Sequence, residues 1–436
     1  MFGFFDSQEK KMRQNAANWL ELADKVWHVR RDVIPAAEVQ ELSRRRNGLK
    51  QLLHDHSDAA KLKIAIESLE GALRRSGGAV YPKSSLTENI EFLLVAAIVI
   101  LGIRAYFLQP FKIPTNSMWP TYYGLTAENF KPGSPVPGTA ERAFRLAAFG
   151  AQRREAYAPR SGQVSAPFFL SDRSLYLAPT LRNGRSWLVF PAVEKEYTFY
   201  VDGEPVSVRV PEDFNEFESD VLIPTFFGSR EKMIAYLSDQ YSHGHFTDKD
   251  MLADERTGQS ERVLVFPLPA TVRAGDPVVR FDVMTGDQLF VDRVSYNFMK
   301  PRVGQAFVFS TRNIPAIGLD EFYIKRLVGT PGDTLEVRSP VLYRNGSPIT
   351  GAEAFDLNAR RVAPYGGYTY GNSLGFGRYL FPGKTLTIPS DSFFAMGDNS
   401  ADSSDGRVWG FVPAADVIGR PLFIYYPFTR RWGPAR

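Results

Sequence analysis

Ser117 is the first residue whose type and setting could support nucleophilic chemistry. It lies in the proline-flanked segment FKIPTNSMWPT, residues 111–121, where a serine is commonly only part of a turn. Such a serine becomes a nucleophile when a general base lies within hydrogen-bond reach. The chain has no cysteine, which excludes cysteine nucleophiles, disulfides and cysteine-bearing zinc sites.

Charged and hydroxyl side chains recur in three segments farther along the chain. These are GDQLFVDR (286–293), YIKRLVGTPGD (323–333) and GDNSADSSDGRVWG (397–410). No histidine occurs in them or in the Ser117 segment, so the chemistry needs another base. In this order after an apolar run, the four segments resemble the conserved boxes of type I signal peptidases, also called leader peptidases. The resemblance covers the apolar run, residues 105–124 and most of 284–428, but not the N-terminal region or residues 126–274.

The resemblance implies that Ser117 is the nucleophile and Lys325 its general base. A lysine accepts a proton only when neutral, so its pKa must lie several units below the usual value of about 10.4. Burial among apolar neighbours such as Ile324, Leu327 and Val328 is the expected cause. Read alone, Lys325 would be an exposed strand lysine, as most lysines are, but the surrounding segment favours the catalytic interpretation.

Two further hydroxyl groups receive roles from the same resemblance. Thr115 is expected to help the Ser117 backbone amide to stabilise the oxyanion of the tetrahedral intermediate. Counting from Gly397 and back from Trp409 without a gap assigns the serine that orients the lysine amine to Ser403. Read by itself, Ser403 is simply one more loop serine.

Charged residues of the last two segments are expected to support the site structurally. Asp405 and Arg407 would pair with each other or with Arg326, and Asp398 would share that role. The last segment departs from the family pattern at two positions, Ser400, where arginine is common, and Gly406, where serine is common. These departures leave the fine positioning of the loop open.

The resemblance also implies the substrate, a preprotein whose signal peptide is added as a strand between the two catalytic segments. Shallow apolar pockets are expected to admit small residues at the first and third positions before the cleavage point. The predicted pocket residues are Phe111, Ile113, Pro114, Met118, Tyr323 and Ile324. Expected partners are preproteins, the lipid bilayer and, as a candidate, the export translocon; no cofactor or metal is expected.

The elements before Ser117 predict a membrane anchor. Residues 90–108 form an apolar run of bilayer length, although its uninterrupted core, 92–103, would also fit a buried helix. The predicted transmembrane helix is therefore 89–108, preceded by a helical module over residues 1–82. Breaks between the helices of this module are predicted at Pro35 and at Asn47-Gly48. More cations precede the run than follow it, which predicts a cytoplasmic N-terminus and an extracytoplasmic location for the residues after it. The resemblance implies that the membrane is a bacterial plasma membrane and that the extracytoplasmic part is the catalytic domain.

Beyond the anchor the sequence predicts a mainly β body, and the resemblance implies that this body has a signal-peptidase-like fold. Residues 109–125 and 275–436 are assigned to the catalytic domain, and 126–274 to an inserted β-rich domain of unknown role. Hairpins are predicted at Asp202-Gly203 and Asn345-Gly346, and a helix near 230–241. His243 and His245 of the insertion are interpreted as surface-loop residues.

Composition limits the alternatives. A net charge of +4, with acidic and basic residues interleaved, does not indicate nucleic-acid binding. A catalytically silent membrane scaffold that kept the peptidase fold remains an alternative, as does a self-cleaving Ser-Lys protease. Retention of Ser117, Lys325 and Ser403 argues against the scaffold.

Overall fold

The computed structural model describes residues 8–83, 85–131, 133–171, 174–186, 190–255, 257–372 and 375–435. The chain divides into two compact units, residues 1–101 and 102–436. Within the described ranges the chain forms helices α1 (Gln8–Arg30), α2 (Ala36–His54), α3 (Ala59–Ser76), α4 (Ser85–Tyr106), α5 (Thr139–Phe149), α6 (Arg230–Ser242), α7 (Glu353–Ala359) and α8 (Gly406–Trp409).

The first unit contains the predicted helical module. Helices α1, α2 and α3 pack around buried residues such as Leu42, Leu49 and Leu69. Asp58 caps α3 by accepting a hydrogen bond from the Lys61 amide at 2.8 Å. The break expected at Asn47-Gly48 is wrong, because α2 continues through it. The buried face of α2 overrides the low helix propensity of glycine at an open position.

Helix α4 is the membrane candidate. It is long and apolar enough to cross a bilayer, with a mean hydropathy of 2.0, and none of its residues is buried. The helix spans Ser85–Tyr106, whereas the sequence predicts 89–108. The difference at the end arises because Leu108 already pairs with Asp292 as a strand residue.

The strands up to the end of the insertion are β1 (Leu108–Lys112), β2 (Thr126–Asn129), β3 (Gln152–Tyr157), β4 (Gly162–Ser171), β5 (Ser174–Leu177), β6 (Pro179–Ser186), β7 (Phe190–Val201), β8 (Glu204–Pro211), β9 (Thr247–Asp254), β10 (Gln259–Val272) and β11 (Pro277–Met284). Those that follow are β12 (Gln288–Asp292), β13 (Ala306–Ser310), β14 (Phe322–Gly329), β15 (Thr334–Arg338), β16 (Val341–Arg344), β17 (Ser347–Pro348), β18 (Gly371–Asn372), β19 (Gly375–Phe376), β20 (Leu386–Thr387), β21 (Ser392–Met396), β22 (Val412–Pro413), β23 (Val417–Tyr426) and β24 (Gly433–Pro434).

The body that carries the four motif segments is a sheet in the order β1-β12-β23-β13-β14-β21-β22, with β24 beside β23. A smaller sheet, β17-β16-β15-β20, lies downstream of β14. The mainly β prediction is confirmed. Its hairpin at Asn345-Gly346 is confirmed too, since both residues have the positive φ that a type I′ turn requires, 52° and 78°.

The insertion is built on a second sheet in the order β5-β4-β10-β9-β6-β7-β8, in which an additional β4–β7 pair closes a ring of strands. Its predicted hairpin at Asp202-Gly203 and its predicted helix, α6, are both confirmed. Strand β11 pairs with β2 and β3, and its Phe281 is buried in the core of the insertion. The sequence assigns residues 275–284 to the catalytic body, whereas in the structure β11 packs with the insertion.

Candidate active site

Strand β1 leads directly into the 3₁₀ turn Asn116–Met118 that carries Ser117. The turn is fixed by Asn116, whose side chain donates to the Leu125 carbonyl at 3.1 Å and accepts from the Gly124 amide at 2.9 Å. The segment 286–293 holds the approach to the turn, since the Ile113 amide donates to the Asp287 carbonyl at 2.9 Å. The nucleophile candidate therefore sits on a turn that is held by the Asn116 side chain and approached by a backbone-bonded segment.

Lys325 lies in the middle of β14 and reaches the same turn. Its Nζ donates a hydrogen bond to Ser117 Oγ, although the two residues are 208 positions apart. Both side chains are buried, with only 4% of Lys325 and 8% of Ser117 exposed. The structure thus brings together the nucleophile and the base that the resemblance implies, shielded from bulk water.

Burial lowers the pKa of the Lys325 amine from its usual 10.5 to about 8. The negative charges of Asp405 and Asp398 work against this shift, while the positive charge of Arg407 assists it. The desolvation effect is the largest of these. A substantial fraction of the amine is therefore neutral at mildly alkaline pH, the form that can accept the hydroxyl proton.

Two buried ion pairs surround the lysine. Arg326 donates to Asp398 at 2.7 and 2.5 Å, and Arg407 donates to Asp405 at 2.8 and 2.7 Å. Burial alone would raise the pKa of the Asp405 carboxyl, but the charge and hydrogen bonds of Arg407 outweigh it and hold the pKa below its usual value. Of the pairings left open by the sequence, the structure has Asp405 with Arg407 and Asp398 with Arg326.

The two supporting hydroxyl groups differ in their placement. Thr115 Oγ1 lies 3.4 Å from Ser117 Oγ, at the exposed edge of the turn. Ser403 is fully buried, and its Oγ has no hydrogen-bond partner within the described part of the chain. It lies against Gly397, where a Cβ would come within 2.2 Å of Ser403 Oγ and 2.3 Å of the Ser117 carbonyl oxygen. Only glycine lets these two segments approach so closely.

A cleft of about 660 Å³ opens beside the serine and lysine. Its described walls include the predicted pocket residues Phe111, Ile113, Pro114, Tyr323 and Ile324. Met118 does not line the cleft, in contrast to its prediction as a pocket residue. Its side chain is completely buried in the core formed by β1, β12, β13 and β23, because the 3₁₀ turn directs it inward.

Unpaired strand edges border this cleft on both sides. Strand β1 ends the order of its sheet and pairs with β12 alone among the described strands. Residues 322–325 of β14 pair with β13, whereas the pairing of β14 with β21 starts only at Arg326. The rings of Phe111 and Phe322, one from each edge, are 5.3 Å apart. The cleft therefore offers backbone hydrogen-bonding groups for an added strand.

Several residues at the site were missed by sequence reasoning. Asn399 holds the nucleophile turn, since its amide donates to the Ser117 carbonyl and its side chain to the Asn116 carbonyl, each at 3.2 Å. The position of Asn399 within the 397–410 motif segment is the sequence signal that could have identified it. The insertion also reaches the cleft, through Glu212, Asp213, Asn215 and Glu216. No sequence signal connects these residues to Ser117, because only the tertiary fold brings them there.

Comparison with known proteins identifies the family. The family described as signal peptidase, peptidase S26, matches residues 278–426. The chain is 34% identical over 151 residues to the probable signal peptidase I-1 of Synechocystis, an alignment that covers 34% of this chain and 66% of that protein. It is 30% identical over 146 residues to the signal peptidase I of Bacillus caldolyticus, covering 34% of this chain and 73% of that protein. The chain belongs to the type I signal peptidase family.

The likeness to this family is confined to part of the chain. A solved signal peptidase I from Enterococcus faecalis is 31% identical, with 28% of this chain and 97% of that chain covered and a TM-score of 0.22. The chain spans less than two thirds of the length of its cyanobacterial relatives from Synechocystis and Leptolyngbya laminosa, 66% and 62%. The peptidase S26 match contains Lys325 and Ser403, whereas Ser117 lies before the insertion and outside the match.

Proposed function

We propose that this protein is a membrane-bound serine endopeptidase that removes signal peptides from exported preproteins. The observation that carries the proposal is the buried hydrogen bond from Lys325 Nζ to Ser117 Oγ at the edge of a peptide-sized cleft. Membership of the type I signal peptidase family supports the reaction class. The adjoining unpaired strand edges support a peptide as the substrate.

In the proposed mechanism Ser117 Oγ attacks the carbonyl carbon of the scissile peptide bond while neutral Lys325 takes the hydroxyl proton. The carbonyl oxygen becomes an oxyanion, stabilised by the Ser117 backbone amide and the Thr115 hydroxyl. The Lys325 ammonium then returns its proton to the leaving amine as the C–N bond breaks. Lys325 then takes a proton from a water molecule that attacks the carbonyl carbon of the resulting ester. As the bond from this carbon to Ser117 Oγ breaks, the Lys325 ammonium returns the proton to Ser117 Oγ, and the carboxylic acid product leaves.

The positioning of the substrate follows from the two strand edges. An extended peptide placed between β1 and β14 would complete the backbone hydrogen bonds of both, which is β-augmentation. Side chains of alternate residues would then face the floor of the cleft, which Ile113 and Ile324 help to line and which we expect to accept small groups. This favours small residues at the first and third positions before the cleavage point.

Membrane anchoring is part of the same proposal. Helix α4 would span the bilayer and end immediately before β1, which keeps the catalytic cleft near the membrane surface. The cations before α4 favour a cytoplasmic N-terminal module and an extracytoplasmic catalytic domain. We place that domain at residues 109–125 and 275–436, with 126–274 as the insertion. The signal peptidase match begins at residue 278 and so includes β11, although this strand packs with the insertion. Association with the translocon and orientation of Lys325 by Ser403 stay predictions.

Cleavage of a radiolabelled preprotein by the full chain in detergent micelles tests the proposal. Ser117→Ala and Lys325→Met are each expected to lower kcat by at least about a thousandfold. Ser347→Ala and Lys384→Ala, both exposed and outside the cleft, serve as controls for the same residue types and should leave the rate unchanged. Cleavage that survives both active-site substitutions would refute the dyad. No cleavage by the intact protein would favour the silent scaffold.

A further inference from the structure

The insertion contributes a wall to the catalytic cleft. The loop 212–216 connects β8 to a π-helical segment, Phe217–Phe227. Phe214 and Phe217 are fully buried in the core of the insertion, which anchors the loop at its centre and at its end. Lys195 Nζ also donates to Asn215 Oδ1 at 2.5 Å. The polar side chains of this loop are thus held at the rim of the cleft by a rigid scaffold.

The described walls of this cleft are predominantly acidic. Carboxylates come from the loop and from the catalytic body: Glu212, Asp213, Glu216, Glu321 and Asp402. The cations of the walls are Lys112 and Lys325, of which Lys325 acts as base only when neutral. Lys195 lies close to Glu212 and Asp213 but does not line the cleft, and it offsets only part of their charge.

Glu216 and Asp402 line the same cleft from different parts of the chain. Burial raises the pKa of the Glu216 carboxyl, and the negative charge of Asp402 raises it further, while a hydrogen bond from Asn116 acts in the opposite direction. Two carboxylates that repel each other next to the nucleophile turn form a favourable environment for a cation. Among the described residues no group of three or more potential ligands could hold a metal ion.

The nature of the ligand is indicated independently of this charge. The Ser117 and Lys325 pair and the two unpaired strand edges mark the cleft as a peptide site. In a peptide docked as a strand, the first and third residues before the cleavage point face the apolar floor. The second residue points the opposite way, and the first residue after the cleavage point leaves the floor pockets altogether. These two positions are free to present a charged side chain to the acidic rim.

From this arrangement we infer that the insertion selects preproteins with a lysine or arginine beside the cleavage point, at the second position before it or the first position after it. The inference rests on the proposed function and assigns the inserted domain a role in specificity. Glu212, Asp213 and Glu216 supply the attraction from the insertion, and Asp402 supplies it from the catalytic loop. A negatively charged residue at either position is disfavoured by the same groups.

Peptide substrates that carry lysine, glutamine or glutamate at each of the two positions test this inference with the full chain. Partly exposed ion pairs predict a kcat/KM about three- to tenfold higher for lysine than for glutamine at one or both positions. The preference should weaken at high salt. The double variant Glu212→Gln, Asp213→Asn should lose most of it while still cleaving the glutamine peptide. The matched double variant Asp250→Asn, Glu261→Gln changes exposed carboxylates of β9 and β10 and should retain it.

The same peptides are also titrated against the Ser117→Ala variant, which measures the binding preference without cleavage. Equal rates and equal affinities for the three side chains at both positions would overturn the inference. If Ser117→Ala abolished cleavage of all three peptides in that case, the proposed function would stand and only the specificity role of the insertion would be lost. The opposite result is that no cleavage depends on Ser117 and yet the lysine peptide binds more tightly than the others. That result would refute the proposed function and leave the acidic rim as a peptide-selective surface.

Discussion

Replacing Lys325 by methionine is expected to stabilise the folded protein while it abolishes the proposed activity. Lys325 is only 4% exposed, and this burial disfavours the charged form of its amine despite the ion pairs nearby. Methionine has a similar length and no charge to desolvate. The gain in stability should therefore be largest at the pH at which the wild-type amine is charged in the folded state.

The magnitude follows from the lowered pKa. An unfolded lysine titrates near 10.5, and burial moves the folded value to about 8. The folded state is thus penalised in full below pH 8, and the penalty disappears as the pH rises through 10.5. This amounts to about 3 kcal/mol at pH 7 and about 1 kcal/mol at pH 10. Loss of the hydrogen bond to Ser117 contributes equally at both pH values, so the difference of about 2 kcal/mol isolates the titration.

Urea unfolding of the full chain in detergent, followed by tryptophan fluorescence at pH 7 and pH 10, measures this difference. Lys325→Met should gain about 2 kcal/mol more, relative to wild type, at pH 7 than at pH 10. Lys384→Met, which changes an exposed lysine, should show no pH-dependent difference. If the stabilisation by Lys325→Met differed by less than about 0.5 kcal/mol between pH 7 and pH 10, the claim that burial lowers the pKa of the Lys325 amine would be refuted.

Three further outcomes are expected. The kcat/KM for cleavage should rise about tenfold per pH unit below pH 8 and level off above it, because the neutral Lys325 amine is the active form. A flat profile from pH 6 to 10, measured where the chemical step limits the rate, would contradict this expectation. Thr115→Val should lower kcat about 10- to 1,000-fold with little change in KM, and Thr115→Ser should keep kcat near the wild-type value. A change in KM without a change in kcat would argue against an oxyanion role for Thr115. Arg326→Met should cost about 3–5 kcal/mol in urea unfolding, since it leaves the Asp398 carboxylate buried and unpaired. Arg338→Met, which removes an exposed arginine paired with Glu336, serves as the comparison. A smaller loss of unfolding free energy from Arg326→Met than from Arg338→Met would contradict that reasoning.

Several helices and hairpins could be predicted from residues that are close together in the sequence. The hairpins at Asp202-Gly203 and Asn345-Gly346 were predictable because both turn positions require positive φ. The apolar run became the exposed helix α4, and the 230–241 helix was found within one residue. The resemblance of the motif segments to the family's conserved boxes likewise singled out Ser117 and Lys325, which neither residue type alone would have done.

Other features depended on packing between distant segments. The Asn47-Gly48 break was overridden by the buried face of α2, and Met118 was directed into the core by a turn that the sequence did not reveal. Strand β11 packs with the insertion because it pairs with β2 and β3 and buries Phe281 in the core there. Long-range pairing and burial are properties of the whole fold and leave no local pattern.

The sequence by itself determined which side chains are available for chemistry, namely a serine and a lysine with no cysteine or motif histidine. Tertiary structure alone decided that the lysine meets the serine across 208 positions, and that burial lowers its pKa to about 8. It also decided that loop 212–216 of the insertion borders the same cleft. The physical reason is that desolvation and charge act through space, so they depend on neighbours that the order of residues does not specify.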